Sequence, residues 1–172
     1  MRADYVELGR RFLPYQKATD SDEAAWPSYF RSEYTDRRSI DWETLLAPDT
    51  RCAVVLGEAG SGKSWEFAAR AEILNSSGVA AFFLPIDDLV DRDLERCLNM
   101  EDGARLKDWL ARSDRAVFFL DSVDDARLRD PHALRKALLG LDRGLGQAFP
   151  RTCIVLSCRV SDWQPTADLE LL

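Results

Sequence analysis

The sequence predicts an α/β fold: a parallel sheet of at least four strands in a three-layer arrangement, preceded by a mostly helical N-terminal segment. Two observations carry this. Four short apolar runs, "CAVVL" (52–56), "AAFFLPI" (80–86), "AVFFLD" (116–121) and "RTCIVLSCR" (151–159), are continuous rather than alternating, the mark of strands buried on both faces. Helical stretches separate them, and strand, helix, strand, helix at this spacing predicts parallel strands covered on both sides.

Residues 1–48 are charged, aromatic and free of strand-like runs. Tyr5, Leu8 and Phe12 recur at helical spacing up to Pro14, and a second helix is expected from near Ser39, with Trp42, Leu45 and Leu46 on one face, ending before Pro48. Residues 51–172 form the expected core domain. After the first strand, 63–75 reads as a helix stopped by "NSSG". The acidic run "DDLVDRDLER" (87–96) reads as a solvated segment, followed by a helix around 103–112. Asp130 and Pro131 suit the cap and first turn of another helix, on which Leu134, Leu138, Leu141 and Leu145 make a stripe. His132 is expected at the surface of that first turn.

The 172 residues suffice for one core, and 46% apolar with 31% charged residues is ordinary for a globular chain. A net charge of −7 disfavours a broad footprint on nucleic acid or anionic membrane. No apolar run is long enough to span a bilayer, and the first residues lack a secretory apolar core. Cys52, Cys97, Cys153 and Cys158 form no C-x-x-C pair and have a single histidine for company, so buried hydrophobes in a reducing cytoplasm are expected rather than a zinc cage.

The stretch "GEAGSGKS", Gly57 to Ser64, fits G-x-x-x-x-G-K-[ST] between a predicted strand and a predicted helix, the context that a phosphate-binding loop requires. Gly57, Gly60 and Gly62 are expected to adopt positive φ and, with Glu58, Ala59 and Ser61, turn backbone N–H groups around phosphate oxygens. Lys63 is expected to reach the β and γ phosphates, and Ser64 to hold Mg²⁺ at a helix N-terminus that favours anions. Trp65 has two readings, packing near the ribose or adenine and packing in the core. "VFFLDSVDD" then supplies the acid that such a loop needs for Mg²⁺: Asp121 at the end of a strand, with Asp124 and Asp125 beyond. The plainer alternative makes Asp121 a turn cap and the other two solvated acids.

The apolar run, Asp, small residue, apolar, Asp, acidic pattern resembles the Walker B box of the NACHT-type branch of STAND signalling ATPases, P-loop NTPases of the ASCE-like class. The chain has Asp125 where that family typically has Glu, and Ser122 where many related ATPases carry a catalytic Glu. The resemblance therefore leaves Asp124 or Asp125 to orient the attacking water, with slow turnover. "CIVLSCR" resembles the sensor-1 strand of the same family, which places Arg159 beside the γ-phosphate; the alternative is an arginine paired with a surface acid. The resemblance spans roughly residues 51–160 and stops short of the family's fifth strand and helical lid, so the chain is expected to be the N-terminal piece of a longer protein or a minimal relative.

The resemblance implies an ATP/ADP-binding switch with slow Mg²⁺-dependent hydrolysis, self-association or signalling partners through the full-length protein, and a role in immune or antiphage defence. Two other readings stay open: an AAA-type ATPase or small P-loop kinase, and a non-catalytic nucleotide-binding scaffold. A GTPase is disfavoured because no N-K-x-D segment is visible.

Overall fold

The computed structural model describes residues 9–14 and 39–172. The chain divides into two compact units with a boundary between Thr50 and Arg51.

In the described part of the first unit, Phe12 is extended rather than helical: it pairs with Ile40 in an antiparallel bridge through backbone bonds of 2.7 and 2.8 Å. Tyr5 and Leu8, the rest of that periodic stretch, lie outside the described residues. The Arg11 guanidinium donates to the Ser39 carbonyl, and the Phe12 ring meets buried Trp42 edge-on at 4.8 Å. Helix α1 (Trp42–Leu45) is capped by Asp41, whose carboxylate accepts the Thr44 N–H at 2.9 Å. That bond holds the Asp41 carboxyl below its ordinary range.

The second unit is a four-stranded, all-parallel sheet with strand order β1-β4-β3-β2: β1 (Cys52–Leu56), β2 (Ala80–Pro85), β3 (Ala116–Asp121) and β4 (Thr152–Cys158). From β1 the chain crosses to the far edge through α2 (Lys63–Ser76), then steps back one strand at a time. Right-handed crossovers send the outward and the return connections to opposite faces. Side-chain parity agrees. Even-numbered residues of β2, β3 and β4 (Phe82, Phe118, Ile154 and Leu156 among them) enter one large core with the helices that follow β2 and β3. Odd-numbered residues face α2, whose buried Phe67 meets Phe119 at 5.2 Å between ring centroids.

The even-face layer is α3 (Ile86–Asp91), α4 (Leu94–Cys97), α5 (Met100–Leu110), α6 (Val123–Arg129) and α7 (Ala133–Leu145). The leucine stripe Leu134, Leu138, Leu141 and Leu145 is buried there; α7 starts later than expected, with exposed His132 rather than Asp130 at its N-cap and Pro131 outside its first turn. Two elements differ from expectation. Residues 87–96 are not a solvated segment: α3 and α4 bury Leu89 and Leu94 against the sheet layer, and Gly144 of α7 gives Leu94 its room, since a Cβ there would stand 2.8 Å from that of Leu94. Residues 123–129 form a helix, held by Val123 and Ala126 in the core. After β4 the chain continues through a short 3-10 turn into α8 (Pro165–Leu169). Among the described residues no helix is long and apolar enough to cross a membrane.

Candidate functional site

The carboxyl ends of β1, β4 and β3 stand side by side, and each carries part of the sequence-derived constellation. At the first, β1 runs into the loop 57–62, and α2 begins at Lys63. Gly60 and Gly62 have φ of 74° and 82°, the left-handed geometry that glycine makes cheap. Gly57 differs from expectation, because its φ is not positive. What it supplies is space: a Cβ there would approach Ser61 Oγ to 3.1 Å and Lys63 Cδ to 3.6 Å. Lys63 folds back over the loop, its ammonium donating to the carbonyls of Gly57 (2.6 Å) and Glu58 (3.0 Å). The first helical bond runs from Glu66 N–H to the Gly62 carbonyl. The N–H groups of Lys63 and Ser64 precede it and are the orphan donors that every helix start leaves. Glu58, Ala59 and Ser64 are exposed, as is Trp65, which excludes the core-packing reading of Trp65.

At the third strand end, parity and register decide the geometry. Asp121 and Ser157 are both odd-numbered, so both lie on the α2 face, and Leu120 pairs with Leu156 one residue earlier. The two side chains therefore meet across adjacent strands: Ser157 Oγ donates to Asp121 Oδ1 at 2.5 Å. Ser157 Oγ in turn accepts the N–H of Ser122 at 2.9 Å. Ser122 is the one non-glycine residue with positive φ among those described (64°), at the point where the chain turns from Asp121 on the α2 face into α6 on the other. Ser157 was not singled out from the sequence. A lone serine in an apolar strand is its only signal, and that signal has meaning only once the register is known.

At the middle strand end, Arg159 leaves β4 level with the loop, since Gly57 N–H donates to the carbonyl of Cys158. Its guanidinium reaches back to α6. Nε lies 2.6 Å from Asp124 Oδ2, and a terminal nitrogen lies 3.0 Å from Asp125 Oδ1. Its backbone N–H also donates to Asp124 Oδ1 at 3.2 Å. Asp124, Asp125 and Arg159 are thus gathered into one cluster, with Asp124 buried and Asp125 at the rim. Beside them Cys158 is buried, and burial, reinforced by the Asp124 charge, pushes its thiol up to about 12, so it stands as an inert neutral group.

The chain matches no protein-family model and no curated protein.

What the arrangement can do follows from its donors and acceptors. The loop offers backbone N–H groups and one ammonium, suited to phosphate oxygens. No cluster of three or more His, Cys, Asp or Glu forms a metal cage among the described residues. The Asp121 carboxylate and the Ser64 hydroxyl are oxygen donors of the type that magnesium takes when most of its ligands come from phosphate and water. The Ser157 hydroxyl engages Oδ1 of Asp121, and among the described residues no hydrogen bond or ion pair engages its second oxygen. Among the described residues, no hydrogen bond or ion pair joins Lys63 or Ser64 to Asp121, Asp124 or Asp125.

Proposed function

We propose that the chain is a P-loop NTPase module that binds ATP or ADP with Mg²⁺ and acts as a nucleotide switch of the STAND/NACHT-like kind. The observation that carries this reading is the convergence at one sheet edge of the 57–64 loop, the buried Asp121 and Arg159, from three strands lying next to one another. Ligands of open parallel sheets bind outside the carboxyl ends of strands, where connections leave for opposite faces. Here the β1 connection departs to the α2 face and the β3 connection to the other, with β4 between them.

In this reading Lys63 exchanges its two carbonyl partners for β- and γ-phosphate oxygens, and the α2 start adds its N–H groups. Mg²⁺, when bound, would neutralise charge on the phosphates. Ser64 and Asp121 would hold it, and the Ser157 hydroxyl fixes the orientation of the Asp121 carboxylate. Asp124 and Asp125 are the groups available to orient water, but both are engaged by Arg159. That engagement favours slow hydrolysis and lends support to the second reading, a nucleotide-binding scaffold without turnover.

The test is calorimetric titration of ATP, ADP and GTP with Mg²⁺ into wild type and Lys63→Ala, with a hydrolysis time course on the same samples. Adenine-nucleotide binding that Lys63→Ala abolishes, with turnover far below one per second, supports the switch. Binding with no turnover favours the scaffold. Nucleotide binding equal in the two proteins, or absent from both, refutes the P-loop reading.

A further inference from the structure

Arg159 is held twice, and the two contacts differ in character. The inner one, to Asp124, is shielded: the carboxylate is 8% exposed and is also fixed to the main chain by the Arg159 N–H. The outer one, to Asp125, lies in solvent, with that side chain 51% exposed. The Arg159 side chain is 37% exposed, so it is reachable from outside.

The helix that carries both acids has holds other than the Arg159 guanidinium. Three residues beyond Asp124, Arg127 donates to the carbonyl of Asp162 at 2.8 Å and pairs with Asp168 at 2.5 Å. Asp168 is 2% exposed, and its other oxygen accepts the Gln164 N–H at 2.8 Å. The 160–168 segment thus braces α6 through Arg127, and the bond from the Arg159 N–H to Asp124 tethers its N-terminus. The guanidinium can leave while the backbone stays.

We propose that Asp124 and Asp125 form a latch on Arg159 that sets how strongly the site distinguishes a nucleoside triphosphate from a diphosphate. The proposal rests on the nucleotide-binding reading above. A terminal phosphate recruits the guanidinium only by drawing it from the two carboxylates, and the same movement frees those carboxylates to act on water. A diphosphate offers no competing anion there, so the latch stays shut. A state that must first be released reduces apparent affinity by the fraction released, and only for the ligand that needs the release.

The experiment is calorimetric titration of Mg²⁺–ATP and Mg²⁺–ADP into the full chain: wild type, Lys63→Ala, Asp125→Asn, Arg159→Ala and the double variant Asp125→Asn/Arg159→Ala. Unfolding midpoints verify that each is folded. The exposed pair predicts that Asp125→Asn tightens ATP by about two- to fivefold and leaves ADP unchanged. Arg159→Ala weakens ATP toward the affinity for ADP, and in that background Asp125→Asn has no effect. An Asp125→Asn gain of equal size in both backgrounds overturns the latch, because it reports only a removed negative charge near phosphate. An unchanged ATP/ADP ratio in Asp125→Asn also overturns it, while the loss of binding in Lys63→Ala keeps the nucleotide reading intact. Wild type and Lys63→Ala that behave alike overturn both.

Discussion

Removing the Ser157 hydroxyl tests the geometry of the sheet edge most directly. Ser157→Ala takes away one oxygen that serves two groups: it donates to the Asp121 carboxylate and accepts the N–H of Ser122. Ser157 is fully buried and Asp121 nearly so, leaving little room for water to substitute. A hydrogen bond to a charged group contributes about 1.5–3 kcal/mol, and a stranded buried donor costs about 1–3 kcal/mol. Ser122 and Asp121 stand at the carboxyl edge of the sheet rather than deep in the core, so the lower ends apply and the expected loss is about 2.5 kcal/mol. For a domain of this size that lowers the melting midpoint by roughly 5–10 °C. Urea unfolding followed by tryptophan fluorescence measures it, with an unchanged m-value showing that the two-state comparison holds. The companion variant Ser122→Gly relieves the left-handed residue, which costs about 1–2 kcal/mol for a side chain, against about 0.5–1 kcal/mol of added chain entropy. It should be neutral or slightly stabilising. A Ser157→Ala protein within about 1 kcal/mol of wild type would show that the hydroxyl does not serve both groups and would remove the basis for an oriented Asp121.

Three further outcomes are expected. Gly144→Ala forces a Cβ to 2.8 Å from the Cβ of buried Leu94 and should destabilise by about 1–3 kcal/mol, whereas Gly103→Ala in α5 meets nothing within 4 Å and should stabilise by up to about 1 kcal/mol; denaturation midpoints that move the same way would contradict the α4–α7 packing. Asp168→Ala strands Arg127 and should lose about 3 kcal/mol in the same assay, and an unaltered midpoint would mean that α8 does not brace α6. Burial pushes the thiols of Cys52 and Cys158 from the ordinary 9.0 up to about 12. The unfolded chain then loses these protons first, so stability is full below about pH 9 and falls as pH rises toward 12. Urea midpoints that stay flat between pH 8 and 11 in the wild type but fall in a double Cys→Ala variant would reverse this.

The strands were legible because burial on both faces writes a continuous apolar run, and β1 to β4 occupy those runs to within a residue or two. The helices α3, α4 and α6 were not. Stretches such as "DDLVDRDLER" and "VDDARLR" are too short and acidic to show a period, and they are helical because Leu89, Leu94, Val123 and Ala126 find the core. Phe12 misled because spacing alone cannot see a partner such as Ile40. At the candidate site, the loop and its acids could be read from spacing, since G-x-x-x-x-G-K-S and a strand-ending Asp are local patterns. The contacts of Ser157 with Asp121, and of Arg159 with Asp124 and Asp125, join residues from different strands and became visible only with the register.

The position of β4 has a consequence for how the molecule comes into being. It is the last of these four strands to emerge during synthesis, yet it lies between β1 and β3, which have no contact of their own as ladder partners. The nascent chain therefore holds the glycine loop and the acidic strand end as separate pieces, a lone β1 and a β2–β3 ribbon, until residues 152–158 arrive to zip them together. Pairing Cys52 with Ile154 closes nearly the whole domain, the kind of distant contact that makes folding slow. Until then both inner strand edges stay open to other chains, a window of aggregation that ends in the same event that completes the carboxyl edge.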